Sequence, residues 1–261
     1  MRSAFAAPAA RSRRLPDLTL DFWLLTLLTV TAGQTLADQL SLHWQIGEAG
    51  AAAIVIPLFT AAVAVQLAQK RYRPWAYWTA VVIASVAGTL ISDVLVVTCG
   101  IGPAITAPLF AILLGGIFAV WRRSERILSI PTARTMQSEL LYWLAVISSF
   151  SLGTSVDDWL SERIGLGYLV SSLVFIEAFA LIACSYVVLQ TRGALHFWAA
   201  CIAMRCGGAS LGNYMIHPRQ IGGLGMGTAG SSVVLLFGIA IVVLIASLDD
   251  GTGRLIKRTS Q

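Results

Sequence analysis

The chain has 261 residues, of which 57% are hydrophobic and 12% charged, with a mean hydropathy of +0.77 and a net charge of +5. A soluble domain carries roughly 25% charged residues, so a soluble globular protein is excluded. The basic residues are scattered in short segments between apolar runs, so the positive charge does not suggest a nucleic-acid partner.

Residues 1–17 are rich in Ala and Arg, with Pro8 and Pro16, and read as a cytoplasmic tail. The apolar run that follows is a full span without a small-residue cleavage site, so a signal peptide is not expected. Apolar runs then fall at 18–40, 49–68, 75–98, 103–121, 138–160, 167–189, 194–215 and 228–248. About 20 apolar residues cross a bilayer as a helix, and a span must satisfy its backbone internally. The expectation is an all-α integral membrane protein of eight transmembrane helices. The first membrane half covers 18–121 and the second 138–248. A basic linker, 122–137, joins them, and 249–261 form a second cytoplasmic tail. No soluble domain is expected.

A motif recurs in alternate runs: an aromatic-Trp pair, Gly ten residues after the Trp, and Asp or Asn fifteen after it. The copies are Phe22-Trp23…Gly33…Asp38, Tyr77-Trp78…Gly88…Asp93, Tyr142-Trp143…Gly153…Asp158 and Phe197-Trp198…Gly208…Asn213. Successive Trp residues stand 55, 65 and 55 apart, so the first pair of copies maps onto the second with a constant offset of 120. The fold predicted is four two-helix repeats. Because each unit has an even number of helices, all copies share one orientation, and the pseudo-symmetry axis runs along the membrane normal rather than in its plane.

All but three of the 18 Lys and Arg residues lie on one side, in the N-terminal tail, after runs two, four and six, and at the C-terminus. The exceptions are Arg163 and Arg219 on the other side and Arg205 within a run. The positive-inside rule then puts both termini in the cytoplasm of a multi-pass protein of the bacterial inner membrane. Each motif helix begins at the cytoplasmic face with its aromatic pair, where an aromatic belt belongs. The acid follows about 22 Å further along, toward the outer face.

The candidate binding residues are the acids Asp38, Asp93 and Asp158, the adjacent Asp157, and Asn213 in the fourth copy. A carboxylate within a span costs about 2.5–3.5 kcal/mol or more, so it faces protein or water and marks an ion or proton path. At this depth the same residues could instead cap helix ends at the interface. One turn before each acid stand Gln34, Thr89, Thr154 and Ala209, on the same helix face. Side-chain oxygens plus carboxylates from several helices would suit a hard divalent cation, with Asp38, Asp93 and Asp158 as metal ligands. Helix-backbone bonding by the Thr residues is the competing reading. The four glycines read as close helix contacts.

The fourth copy departs. Asn213 replaces the acid, Ala209 replaces Thr, and Arg205 stands where the others have Val30, Ser85 and Phe150. A mid-span Arg needs a partner, and Glu177 in the sixth run or a repeat acid is the expected one. His43 and His217, with Glu48 and Glu162, belong to the same outer mouth, and His196 flanks the seventh run. Cys99, Cys184, Cys201 and Cys206 have neither CxxC nor His-paired zinc spacing and read as small core residues. Two catalytic-looking strings carry no weight. Gly208-Ala209-Ser210-Leu211-Gly212 fits GxSxG without the strand-turn-helix that motif requires. Gly225-Met226-Gly227-Thr228-Ala229-Gly230 fits GxGxxG without a preceding strand.

The aromatic-Trp…Gly-Thr…Asp pattern is followed by glycine turns at Ile46-Gly47, Gly100-Ile101-Gly102 and Ile164-Gly165-Leu166-Gly167. This combination resembles a family of bacterial repeat membrane proteins described only as uncharacterised membrane-anchored proteins. Its most specific elements are Tyr77-Trp78…Gly88-Thr89…Asp93 and Tyr142-Trp143…Gly153-Thr154…Asp158. The resemblance implies a multi-span inner-membrane protein and supplies no substrate. The expected function is a transporter or channel for a cation, either a divalent metal or a proton-coupled solute. No enzyme activity and no cofactor are expected, a divalent cation being substrate, and the partners are membrane lipid and a small ion or solute. The alternative is a non-transporting membrane protein that binds a lipid, small molecule or partner, with the acids as caps.

Overall fold

A computed structural model describes residues 20–69, 72–124, 135–189 and 194–259. Among these are eight long α-helices and no strand: α1 (Leu20–Asp38), α2 (Gly47–Ala68), α3 (Pro74–Asp93), α4 (Pro103–Ser124), α5 (Met136–Asp158), α6 (Tyr168–Leu189), α7 (Ala194–Ile216) and α8 (Thr228–Thr259). Seven are long and apolar enough to cross a membrane. The exception is α7, which carries Arg205 and a run of small residues and buries them against other helices. α8 runs through to Thr259, so most of the stretch expected as a tail, 249–261, is helical. The expected N-terminal tail, 1–17, and most of the linker lie outside the described residues.

Helix starts follow local chemistry. Proline opens α3 and α4 at Pro74 and Pro103, where its missing N–H costs nothing. At α5, Thr135 and Ser138 form a capping box, each side chain accepting from the other's backbone N–H at 3.2 Å.

The helices α1, α3, α5 and α7 form a closed ring. Each packs against two others, α7 returning to α1, while α2, α4, α6 and α8 pack outside against α3, α5, α7 and α1 respectively. The two halves of the chain therefore build one core.

Two sets of contacts repeat around the ring. The first aromatic of each pair meets the Trp of the next motif helix: Phe22–Trp78 at 5.7 Å, Tyr77–Trp143 at 5.9 Å, Tyr142–Trp198 at 6.1 Å and Phe197–Trp23 at 6.1 Å between centroids. Such ring pairs contribute about 0.5–1.5 kcal/mol each beyond area burial. This corrects the aromatic-belt expectation. Tyr77, Trp78, Tyr142, Trp143 and Trp198 are buried, because they close one end of the ring rather than anchor in lipid headgroups.

The second set runs through the glycines. Gly33 faces Ser85, Gly88 faces Phe150, Gly153 faces Arg205 and Gly208 faces Val30. The partner is in each case the residue seven after the Trp of the next helix. A Cβ at Gly208 would stand 2.6 Å from the Val30 Cβ, and one at Gly153 2.9 Å from that of Arg205, closer than carbon atoms approach. The expected role in helix contact holds, and its partner is now specific.

Candidate functional site

Residues at equal register on the four ring helices meet near a common axis, and they form layers. At the aromatic end, Tyr77 and Tyr142 share a hydroxyl–hydroxyl hydrogen bond of 2.6 Å. Toward the other end, the hydroxyls of Thr89 and Thr154 lie 3.3 Å apart. Gln34 stands at the same level on α1, packed beside Gly212 of α7, and its Oε1 is buried without a hydrogen-bond partner. Ala209, the fourth member, is buried. The supporting oxygens expected one turn below the acids are therefore present, and two of them touch.

Asp38, Asp93 and Asp158 come next, half-buried on three different helices. Asp93 lies within Coulombic reach of Asp38 and of Glu48 and Glu162, and Asp158 within reach of Asp93, Asp157, Asp38 and Glu162. None of the three makes a side-chain capping bond. Each is instead the last α-helical residue before a five-residue π-helical turn. These turns are Gln39–His43, Val94–Thr98 and Trp159–Arg163, one after each acid. Single π-turns inside helices cluster at functional sites. Each turn leads to a left-handed residue at the same register, Gln45 (φ 55°), Gly100 (φ 69°) and Gly165 (φ 83°). Sequence reasoning saw the glycines but not the π-turns, whose i to i+5 bonding has no residue signature.

The structure shows no ready-made metal site at Asp38, Asp93 and Asp158. Among the described residues no three His, Cys, Asp or Glu side chains stand close enough together to hold a metal ion. The acids gather negative charge without forming a preassembled chelate.

Asp157, expected as a neighbour of the site, has a different place. It is fully buried between α5 and α7, and its carboxylate accepts from Ser210 Oγ and from Asn213 Nδ2, the latter at 2.9 Å. Asn213 therefore is not a degraded ligand. It supplies N–H donors, which Asp could not, to a buried carboxylate on the next helix. Its backbone carbonyl also meets His217 Nδ1 at 2.9 Å. The His217 ring stacks on Tyr168 at 4.5 Å, and Tyr168 donates to Glu162 Oε1 at 3.1 Å. His43 is exposed.

The Arg205–Glu177 pair does not form. Glu177 is exposed on the outer face of α6. The face of α6 that meets α7 runs through Ser172, whose hydroxyl donates to Gly207 O at 3.3 Å, and Phe175, which abuts Gly207. Two residues beyond Phe175 the helix has turned about 200°, so Glu177 points elsewhere. Arg205 is buried near the middle of α7. Its Nη1 donates to Val146 O and Ser149 Oγ, its guanidinium carbon stands 3.8 Å from the Phe150 ring centroid, and its Nε has no partner. Among the described residues, no carboxylate meets it. Arg205 lines a cavity of about 10 Å3, room for a single water, together with Phe22, Tyr77, Tyr142, Phe150, Phe197, Trp198 and Cys201.

Two stretches, residues 76–127 and 141–191, match the family described as a Repeat of Unknown Function (DUF347). Each begins at an aromatic-Trp pair and takes in a ring helix with the helix that follows it. The model of that repeat thus matches the chain twice, over the two copies whose motifs are complete. No curated protein and no solved structure matches the chain.

Proposed function

We propose that the chain is a multi-pass carrier for a small cation in the bacterial inner membrane. In this reading four two-helix repeats surround an axis along the membrane normal, and all eight helices span, α7 being shielded from lipid within the ring. Both termini are cytoplasmic, and the acid end of the ring opens outward. The observation that carries the reading is the gathering of Asp38, Asp93 and Asp158 from three helices at one end of one axis, free of capping roles. Convergent carboxylates raise the local cation concentration. The Thr89–Thr154 pair and the unpartnered Gln34 Oε1 offer oxygen acceptors one turn deeper.

The arrangement favours attraction of a hydrated cation or proton over tight chelation. Below the acids the ring is filled by the buried Arg205, Phe150 and the aromatic layer, so passage requires these groups to move, as in a carrier rather than an open pore. The same filling favours one rival, a protein that binds a small solute without passing it. Proteoliposomes loaded with ion reporters separate the two. Purified protein should support saturable uptake of a proton or metal cation, and Asp93→Asn and Asp158→Asn should each reduce it at least tenfold while remaining folded. Uptake unchanged in both variants would sink the carrier reading, and binding without uptake would favour the rival.

A further inference from the structure

The cavity beside Arg205 has a chemistry opposite to that of the acid end, and we infer that it binds one small monovalent anion of the halide class. Its polar wall is rich in donors that lack an acceptor. Arg205 Nε and Trp198 Nε1 are both buried and both lack an acceptor. Tyr77 and Tyr142 share one hydrogen bond of 2.6 Å, which consumes one phenolic hydrogen and leaves the other unused. Among the described residues no carboxylate lines the cavity; its other walls are aromatic faces, aliphatic side chains, Thr26 and the Cys201 thiol. The Thr26 hydroxyl is already committed to Phe22 O at 2.7 Å.

An ionised guanidinium in mid-membrane without a counter-charge is costly. The carboxylate expected on α6 faces away, so nothing in the described protein neutralises it. A water in the cavity could accept two of the free N–H donors, but it would bring no charge to the guanidinium. A monatomic anion accepts from every donor, brings the missing charge and has no hydrogen to place. At about 10 Å3 the space holds one water-sized particle, which excludes phosphate, sulfate and carboxylates of any length.

The test is equilibrium halide binding to the full-length protein in detergent. Gluconate buffer is exchanged for fluoride, chloride or bromide at constant ionic strength, with tryptophan fluorescence and thermal melting as readouts, since Trp78 and Trp198 both line the cavity. A saturable change with fluoride or chloride is expected, weakening by about tenfold in Trp198→Phe and in the Tyr77→Phe/Tyr142→Phe double variant, and disappearing in Arg205→Gln. Should Arg205→Gln not fold, the phenylalanine variants, which keep the ring shapes, carry the test. A parent protein without saturable response to any halide overturns the inference. So does a response equally strong in Trp198→Phe and the double Tyr variant, which would put the anion elsewhere. No net flux is needed, so the result stands apart from the carrier reading.

Discussion

Restoring the motif acid in the fourth copy should damage the protein. Asn213→Asp removes the Nδ2 donor that meets Asp157 at 2.9 Å in a site with no solvent exposure at the acid. A hydrogen bond to a charged group contributes about 1.5–3 kcal/mol. The new carboxylate also faces Asp157 directly. Two carboxylates about 4 Å apart repel by about 4 kcal/mol at an effective dielectric near 20, unless one binds a proton. The net loss should be about 3 kcal/mol or more, visible as a clear drop in detergent melting temperature followed by tryptophan fluorescence. The exchange Asp157→Asn/Asn213→Asp keeps one acid and one amide. The amide, moved to α5, can accept from Ser210 and donate to the carboxylate that now stands on α7. The double variant should therefore recover to within about 1 kcal/mol of the parent, a strong coupling in a double-mutant cycle. If Asn213→Asp melts like the parent, or if the exchange is no better than the single variants added together, Asp157 is not clamped as described.

Two further outcomes follow from other contacts. Gly208→Ala should cost about 1–3 kcal/mol, as overpacking does, because its Cβ falls 2.6 Å from that of Val30; Val30→Gly should recover part of the loss, read by the same melts. Cys99 is exposed near the acid end, Cys184 is exposed toward the other end of α6, inside the membrane in the proposed orientation, and Cys201 and Cys206 are buried, so a membrane-impermeant maleimide added to intact spheroplasts should label the parent and not Cys99→Ser. Labelling only after the membrane is opened would reverse the proposed orientation.

The spacing of Trp, Gly and Asp was legible because a helical register is a property of one chain segment. Helix number, helix starts and the contact role of the glycines all follow from it. What each glycine touches was not legible, since that depends on how neighbouring helices slide past one another. The rule that each motif glycine meets the residue seven past the next Trp appears only once the ring closes. Glu177 and Arg205 were matched by charge and by depth, both readable from sequence. The face of α6 that meets α7 is set by Ser172 and Phe175 at Gly207, and that choice of face leaves Glu177 outside. Asp157 was seen only as a companion of Asp158. One residue turns a helix by about 100°, enough to send one acid to the axis end and bury the other between helices.

The departures in the fourth copy form one pattern when read with their neighbours. Along the axis the acid end offers carboxylates, hydroxyls and the bare Gln34 oxygen, all able to accept. The middle offers the bare Arg205 and Trp198 N–H groups, all able to donate. Four identical copies could not produce that division, because a fourfold acid ring would sit above a fourfold layer of whatever residue occupied the Arg205 position. A ring of four arginines there would be untenable in a membrane, whereas one is tolerable if something neutral-to-negative meets it. Copy four concentrates the asymmetry in a single helix: α7 gives up its acid to hold Asp157 with Asn213, and it supplies the one cation on the axis among the described residues. On the readings proposed above, the cation path and the anion site are coupled through Arg205. An anion bound there cancels the positive charge that a cation descending from Asp38, Asp93 and Asp158 must pass.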